Sequence, residues 1–178
     1  MTAIQTFDTA DWIARNAFRG TRLSREAQEA VSAFTMMWNF FESTLCENRA
    51  SLAAFDRALG NFDVYEAADE VKNSINECLY FWRTRYMTPH GFGERFDGLH
   101  FRASDRRQHV ERVLNGQLDA PTEQLLALMI IVYRLRNNLF HGLKSIDMLN
   151  EQVDNLNMAA KCLAAILESL PSRWVRAH

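Results

Sequence analysis

Between Ala27 and Leu45 the apolar residues Ala27, Val31, Phe34, Trp38, Phe41 and Leu45 recur at alternating steps of four and three. That spacing puts every one of them on one face of an α-helix, whereas a strand facing a core would repeat every second residue. Ser24 stands where an N-cap belongs, and Glu26 suits the positive end of the helix dipole. Three further segments repeat the pattern. A stripe of Val64, Ala67, Val71, Ile75, Cys78, Leu79 and Trp82 predicts a helix from Asp63, its N-cap, to about Tyr86. Pro121 and Gly142 suit the first turn and the residue past the end of a third helix. Its middle, Leu125 to Val132, is apolar all round, as expected of the central helix of a core. The fourth is expected over about Ile146 to Leu170, with Ile146, Leu149, Val153, Leu156, Ala160, Leu163, Ile166 and Leu167 on its stripe and Pro171 ending it.

Shorter helices are expected at 9–19, 50–59 and 104–115. The one irregular stretch is Thr88 to Ser104, with Pro89, Gly91, Gly93 and Gly98, long enough to be functional or mobile. Gly and Pro number only 7 and 3, too few for a turn-rich β-sandwich. The fold expected is therefore all-α: four long antiparallel helices, up-down-up-down, with one longer excursion and short accessory helices. The 178 residues suit a single domain, 1–178, with its core over about 24–170.

The charge balance and cysteines narrow the setting. Formal net charge is −2, with no overall basic signature. Residues 83–144, however, hold 10 basic and 6 acidic groups, a net of +4, and nine of the ten are Arg. Across the chain 17 of the 20 basic residues are Arg, which codon usage explains as readily as phosphate binding. Cys46, Cys78 and Cys162 form no C-x-x-C pair, as in a reducing cytosol. The first residues carry neither a basic nor an apolar leader, and the longest apolar run, Leu125 to Tyr133, is too short to cross a bilayer. A cytoplasmic protein without a membrane segment is expected.

Few catalytic motifs survive inspection. No Glu has a His three residues on, so the paired Glu-x-x-His signature of a di-iron bundle is missing. There is no H-E-x-x-H, P-loop or G-x-G-x-x-G, and no His pair has helical metal-ligand spacing. No metal or cofactor is expected. What remains is Tyr133-Arg134-Leu135-Arg136-Asn137-Asn138-Leu139-Phe140-His141-Gly142, a polar cluster where the apolar central helix ends. Seven Arg–His pairs in the chain stand five to seven residues apart, so spacing alone selects nothing. Only Arg136 combines a following Asn137, His141, the helix-ending Gly142 and the basic Lys144.

This cluster resembles the hallmark of the HEPN superfamily, Arg-x(4–6)-His with a polar residue after the Arg. Leu139-Phe140-His141-Gly142-Leu143-Lys144 is similar to that family's motif ending. Phe34-x-x-x-Trp38-Asn39-x-Phe41-Glu42 resembles its first core helix, and Ala164 to Glu168 its closing helix. The resemblance spans about 24 to 170 and implies a HEPN-like bundle and a metal-independent endoribonuclease of toxin or antiviral-defence type. It implies a homodimer with the motif helices facing, so that one cleft holds two Arg and two His. RNA is the implied substrate, and a neutralising antitoxin or defence partner is among the implied partners. Arg136, His141 and Asn137 would be catalytic; Arg134, Asn138 and Lys144 would bind substrate; Glu42 would pair with a motif Arg or lie on the surface. In the branch controlled by a nucleotidyltransferase a Tyr stands two residues after the His. Here that position is Leu143, which gives no support to such control.

Geometry complicates the choice of Arg. On an ideal helix Arg136 and His141 lie about 140° apart, while Arg134 is only about 20° from His141. Arg134, Asn137 and His141 share one stripe, and Arg136 must reach around it or the last turn must deviate. Two other readings stay open: a non-catalytic HEPN module that binds nucleotide or partner protein, and a helical regulatory bundle in which the cluster only caps a helix. Arg102, Arg106, Arg107 and Arg112 fit an RNA groove or a solvated helix face. The aromatic group Phe34, Trp38, Phe40 and Phe41 suits core and dimer contact better than base stacking.

Overall fold

The computed structural model describes residues 7–16, 22–60, 68–140 and 146–170. Its elements are α1 (Thr9–Asn16), α2 (Arg25–Leu45), α3 (Leu52–Gly60), α4 (Asp69–Tyr86), strands β1 (Met87–Thr88) and β2 (Gly91–Phe92), α5 (Glu94–Asp97), α6 (Arg107–Leu114), α7 (Pro121–Phe140), α8 (Ile146–Leu149), a 3₁₀ turn at Asn150–Gln152, and α9 (Val153–Ser169). The chain is mostly helical, as the stripes predict, and no described helix is long and apolar enough to cross a membrane.

The caps and stripes explain where the helices form. Ser24 Oγ accepts the Ala27 N–H at 3.0 Å and starts α2, whose Ala27, Phe34, Trp38 and Phe41 are buried. Every residue from Leu125 to Val132 is buried, so α7 is the core helix expected of an element apolar on all sides. Trp82 on α4 donates its indole N–H to Cys162 Sγ of α9 at 3.3 Å, inside the core.

The direction of the helices differs from the up-down-up-down expectation. One cavity is lined by Lys72 and Ile75 of α4, Pro121 and Gln124 of α7, and Ser169 of α9. Thus α4 and α7 both start where α9 finishes: they run parallel to each other and opposite to α9. At the other end Asn150 bridges to Ser24, so α2, which packs on α9, starts beside the start of α9. The four long helices run up, down, down, up. A parallel α4 and α7 need a crossover, and the chain from β1 through α6 supplies it.

Three other expectations change. The second long helix starts at Asp69, after Ala68 in extended backbone, with Asp69 and Glu70 at the positive end of its dipole. Asp63, Val64 and Ala67 lie outside the described residues. The fourth helix is broken at 150–152, where Asn150 Oδ1 accepts the Ser24 N–H (2.9 Å) and Nδ2 donates to the Arg22 carbonyl (3.2 Å). A side chain that ties down the start of α2 takes the place of helical continuity. The stretch 88–104 is irregular only in part, chiefly over 98–104. It holds a two-residue hairpin, with Gly91 at φ +112°, and the short helix α5.

Candidate active site

Helix α7 delivers its polar turn to two sides. Arg134 and Asn138 are four residues apart and face the loop after α5. Arg134 donates from Nε to the Leu99 carbonyl (3.1 Å) and from Nη2 to the His100 carbonyl (2.6 Å). Its Nη1 stands 3.1 Å from Asp105 Oδ2, and both side chains are buried. Asn138 Nδ2 donates to the carbonyls of Gly98 (3.1 Å) and Leu99 (3.2 Å). Asp105 Oδ2 also accepts the Arg102 N–H at 2.7 Å. Burial pulls the Arg134 guanidinium below the usual arginine value, and Asp105 opposes that pull.

These bonds clamp a loop that needs clamping. His100 and Arg106 adopt left-handed backbone, with φ of +51° and +53°. Each such non-glycine residue costs on the order of 1 kcal/mol or more unless its surroundings hold it. Arg134 and Asn138, expected to touch substrate, carry out this internal task instead. Arg134 is only 2% exposed and presents no guanidinium face outward.

Arg136 lies about 160° around the helix from Arg134. It is half-buried, and its guanidinium carbon sits 5.6 Å from the centre of the Trp38 ring. Its Nη1 donates to Asn137 Oδ1 at 3.3 Å. The ring below it is fixed: Trp38 stacks on Tyr133 of α7 (centroids 6.2 Å apart) and donates its indole N–H to Glu42 Oε2 at 3.0 Å. Glu42 Oε1 accepts the Ala50 N–H at 3.1 Å, just before α3. Glu42 therefore meets Arg136 through the indole that both touch. Asn137, almost fully buried, is one side-chain partner of the guanidinium. His141 and Lys144 lie outside the described residues.

Sequence reading missed two participants. Trp38 was legible as a core residue, and the Trp38–Glu42 spacing of one turn hinted at the indole–carboxylate bond. Asp105 gave no such hint, because its partner is 29 residues away in sequence. Two of the four arginines in the basic stretch after α5 are held by carboxylates. Arg106 forks onto Asp56, and Arg107 reaches Asp97 and Glu111. Among the described residues no group of three His, Cys, Asp or Glu side chains is placed to hold a metal ion. No protein-family model, curated protein or solved structure matches the chain.

Proposed function

We propose that the chain is a HEPN-type endoribonuclease that works without a metal, in a toxin or phage-defence role in the cytoplasm. The observation that carries this reading is the division between the two arginines. Arg134 is held by Asp105 and loop carbonyls on one side of the helix, while Arg136 lies on the other side, partly buried against an indole that Glu42 holds. A guanidinium presented in this way can fork onto a phosphate and stabilise the charge that builds on its oxygens.

The reaction needs only what RNA and such a site provide. A His takes the proton of a ribose 2′-OH; the oxygen attacks the adjacent phosphorus, and the P–O5′ bond breaks. A second His gives a proton to the departing 5′-oxygen. The products are a 2′,3′-cyclic phosphate and a 5′-OH. Two facing motif helices in a homodimer supply His141 twice, as base and as acid, and Arg136 twice, with Asn137 orienting the guanidinium and Lys144 adding positive charge nearby. The test is total RNA incubated with purified protein in excess EDTA, beside His141→Ala. Cleavage by the wild type and not by the variant supports the reading; equal cleavage by both removes it. A monomer at micromolar concentration would exclude the two-protomer cleft.

A further inference from the structure

Two arginines elsewhere are positioned differently from those already described. The side chains of Arg85, half-buried in the last turn of α4, and of the exposed Arg95 of α5 make no hydrogen bond or ion pair among the described residues. In this they differ from Arg83, which holds the Val113 and Leu114 carbonyls, and from Arg106, Arg107 and Arg134. They also share a neighbourhood. Both line a polar cavity of about 460 Å³, and both line a second, mostly apolar cavity of about 460 Å³ beside it. The like charge of Arg95 adds to burial in pulling Arg85 below the usual arginine value. An anion between them would relieve that repulsion.

The two cavities differ in chemistry. The apolar one presents Tyr80, Phe81 and Met158, and the Tyr80 ring is 71% exposed. Phe81 is held edge-on against Trp82, with centroids 4.8 Å apart, so it offers a fixed surface. Glu77, at its edge, is neutralised by Lys161 at 2.6 Å. The polar cavity holds Glu94, Glu151, Gln152 and Asn155. Asn155 is 4% exposed; its Nδ2 donates to Gln152 Oε1 at 2.7 Å, and its Oδ1 is buried without a partner among the described residues. A buried amide oxygen left unpaired is costly, and a planar N–H edge entering the cavity would satisfy it.

An anion site flanked by an aromatic ledge on one side and an amide-bearing pocket on the other fits a nucleotide chain. We propose that Arg85 and Arg95 bind a phosphodiester of single-stranded RNA, with one flanking base on Tyr80 and Phe81 and the next base in the polar cavity against Asn155. Glu94 and Glu151 exclude a second phosphate from that cavity and accept from amino groups of the base. The site lies beside Leu135, on a different face of α7 from Arg136. The inference rests on RNA being the ligand, as in the preceding section, but not on its being cleaved.

The test uses a fluorescein-labelled 2′-O-methyl RNA hexamer of mixed sequence, which lacks the nucleophile, and reads binding by anisotropy. The double variant Arg85→Ala/Arg95→Ala should bind about tenfold or more weakly and show a shallower salt dependence. Tyr80→Ala should lose about fivefold or more, the stacking loss of one base. Arg25→Ala/Lys72→Ala removes the same charge elsewhere and should bind as the wild type does. Thermal melts should be unchanged in the Arg85/Arg95 variant, since no ion pair is lost. Equal affinity of wild type and that variant, no binding by the wild type, or adenosine monophosphate competing as tightly as the hexamer would overturn the proposal. Cleavage of unmodified RNA, measured in parallel, separates the two readings. Cleavage with unaltered hexamer binding by the variant removes this site alone. Binding lost in the variant, with no cleavage by the wild type, removes the ribonuclease alone.

Discussion

Arg134 and Arg136 are two residues apart and carry the same charge, yet their substitution should have opposite consequences. Arg134→Ala leaves the buried Asp105 without its ion-pair partner, with only the Arg102 N–H, and should cost about 3–5 kcal/mol in urea unfolding. Arg136→Ala removes, among other contacts, the cation–π contact with the Trp38 ring, worth about 1 kcal/mol, and should abolish RNA cleavage while the protein still folds. If Arg136→Ala cleaves normally, the functional assignment of that residue fails. Glu42→Gln keeps one acceptor where two are used, and should cost about 1–3 kcal/mol. Tryptophan fluorescence should shift with it as Trp38 loses its fixed partner. The sequence marked both arginines and Glu42 but could not rank them. Helical angles placed Arg134 nearest His141, and nothing local revealed that Asp105, from a distant loop, would claim it.

At the scale of elements, the start of α2 and the break before α9 are one device. Ser24 caps α2 with its hydroxyl, while Asn150 holds the Ser24 and Arg22 backbones. Ser24→Ala should cost about 1 kcal/mol and Asn150→Ala about 1–2 kcal/mol. Because the two groups meet, the double variant should lose measurably less than the sum of the two. Strict additivity would show that they act separately. The tether between α3 and α6 is a second such link, and it titrates. The Arg106 hydrogen bonds hold the Asp56 carboxyl below the usual carboxylate range, against a smaller opposing effect of burial. A carboxyl lowered in the fold adds stability above its unfolded pKa and loses it as pH falls through its folded value. The gap in melting temperature between wild type and Asp56→Asn should therefore close as pH falls from about 5 to about 3. A gap that stays constant would contradict the assignment. Cap and stripe predicted α2 and α7 well, since both are local signals. The break at Asn150 depends on a contact with residues more than 120 positions earlier, so periodicity ran straight through it.

For the molecule as a whole, composition and periodicity made the all-α class legible, but not its path. Apolar stripes say which face is buried and nothing about which way a helix runs. The parallel pair α4 and α7 is set by the chain between them, in which the sequence predicts a helix over 104–115 but no direction for it. That crossover makes two contacts that shape the candidate sites. Its loop after α5 takes up Arg134 and Asn138, which leaves Arg136 as the arginine on the other face of α7. Its α5 brings Arg95 beside Arg85. Of the arginines in the +4 stretch 83–144, Arg83, Arg106, Arg107 and Arg134 hold other parts of the fold, while Arg85 and Arg95 line the two cavities. In the proposed function Arg136 and His141 cleave RNA through its own 2′-OH. The most direct measurement is the end-group chemistry of RNA incubated with the wild-type protein in EDTA. The account predicts 2′,3′-cyclic phosphate and 5′-OH ends, absent when Arg136→Ala or His141→Ala replaces the wild type; 3′-OH ends, or the same products from those variants, would contradict it.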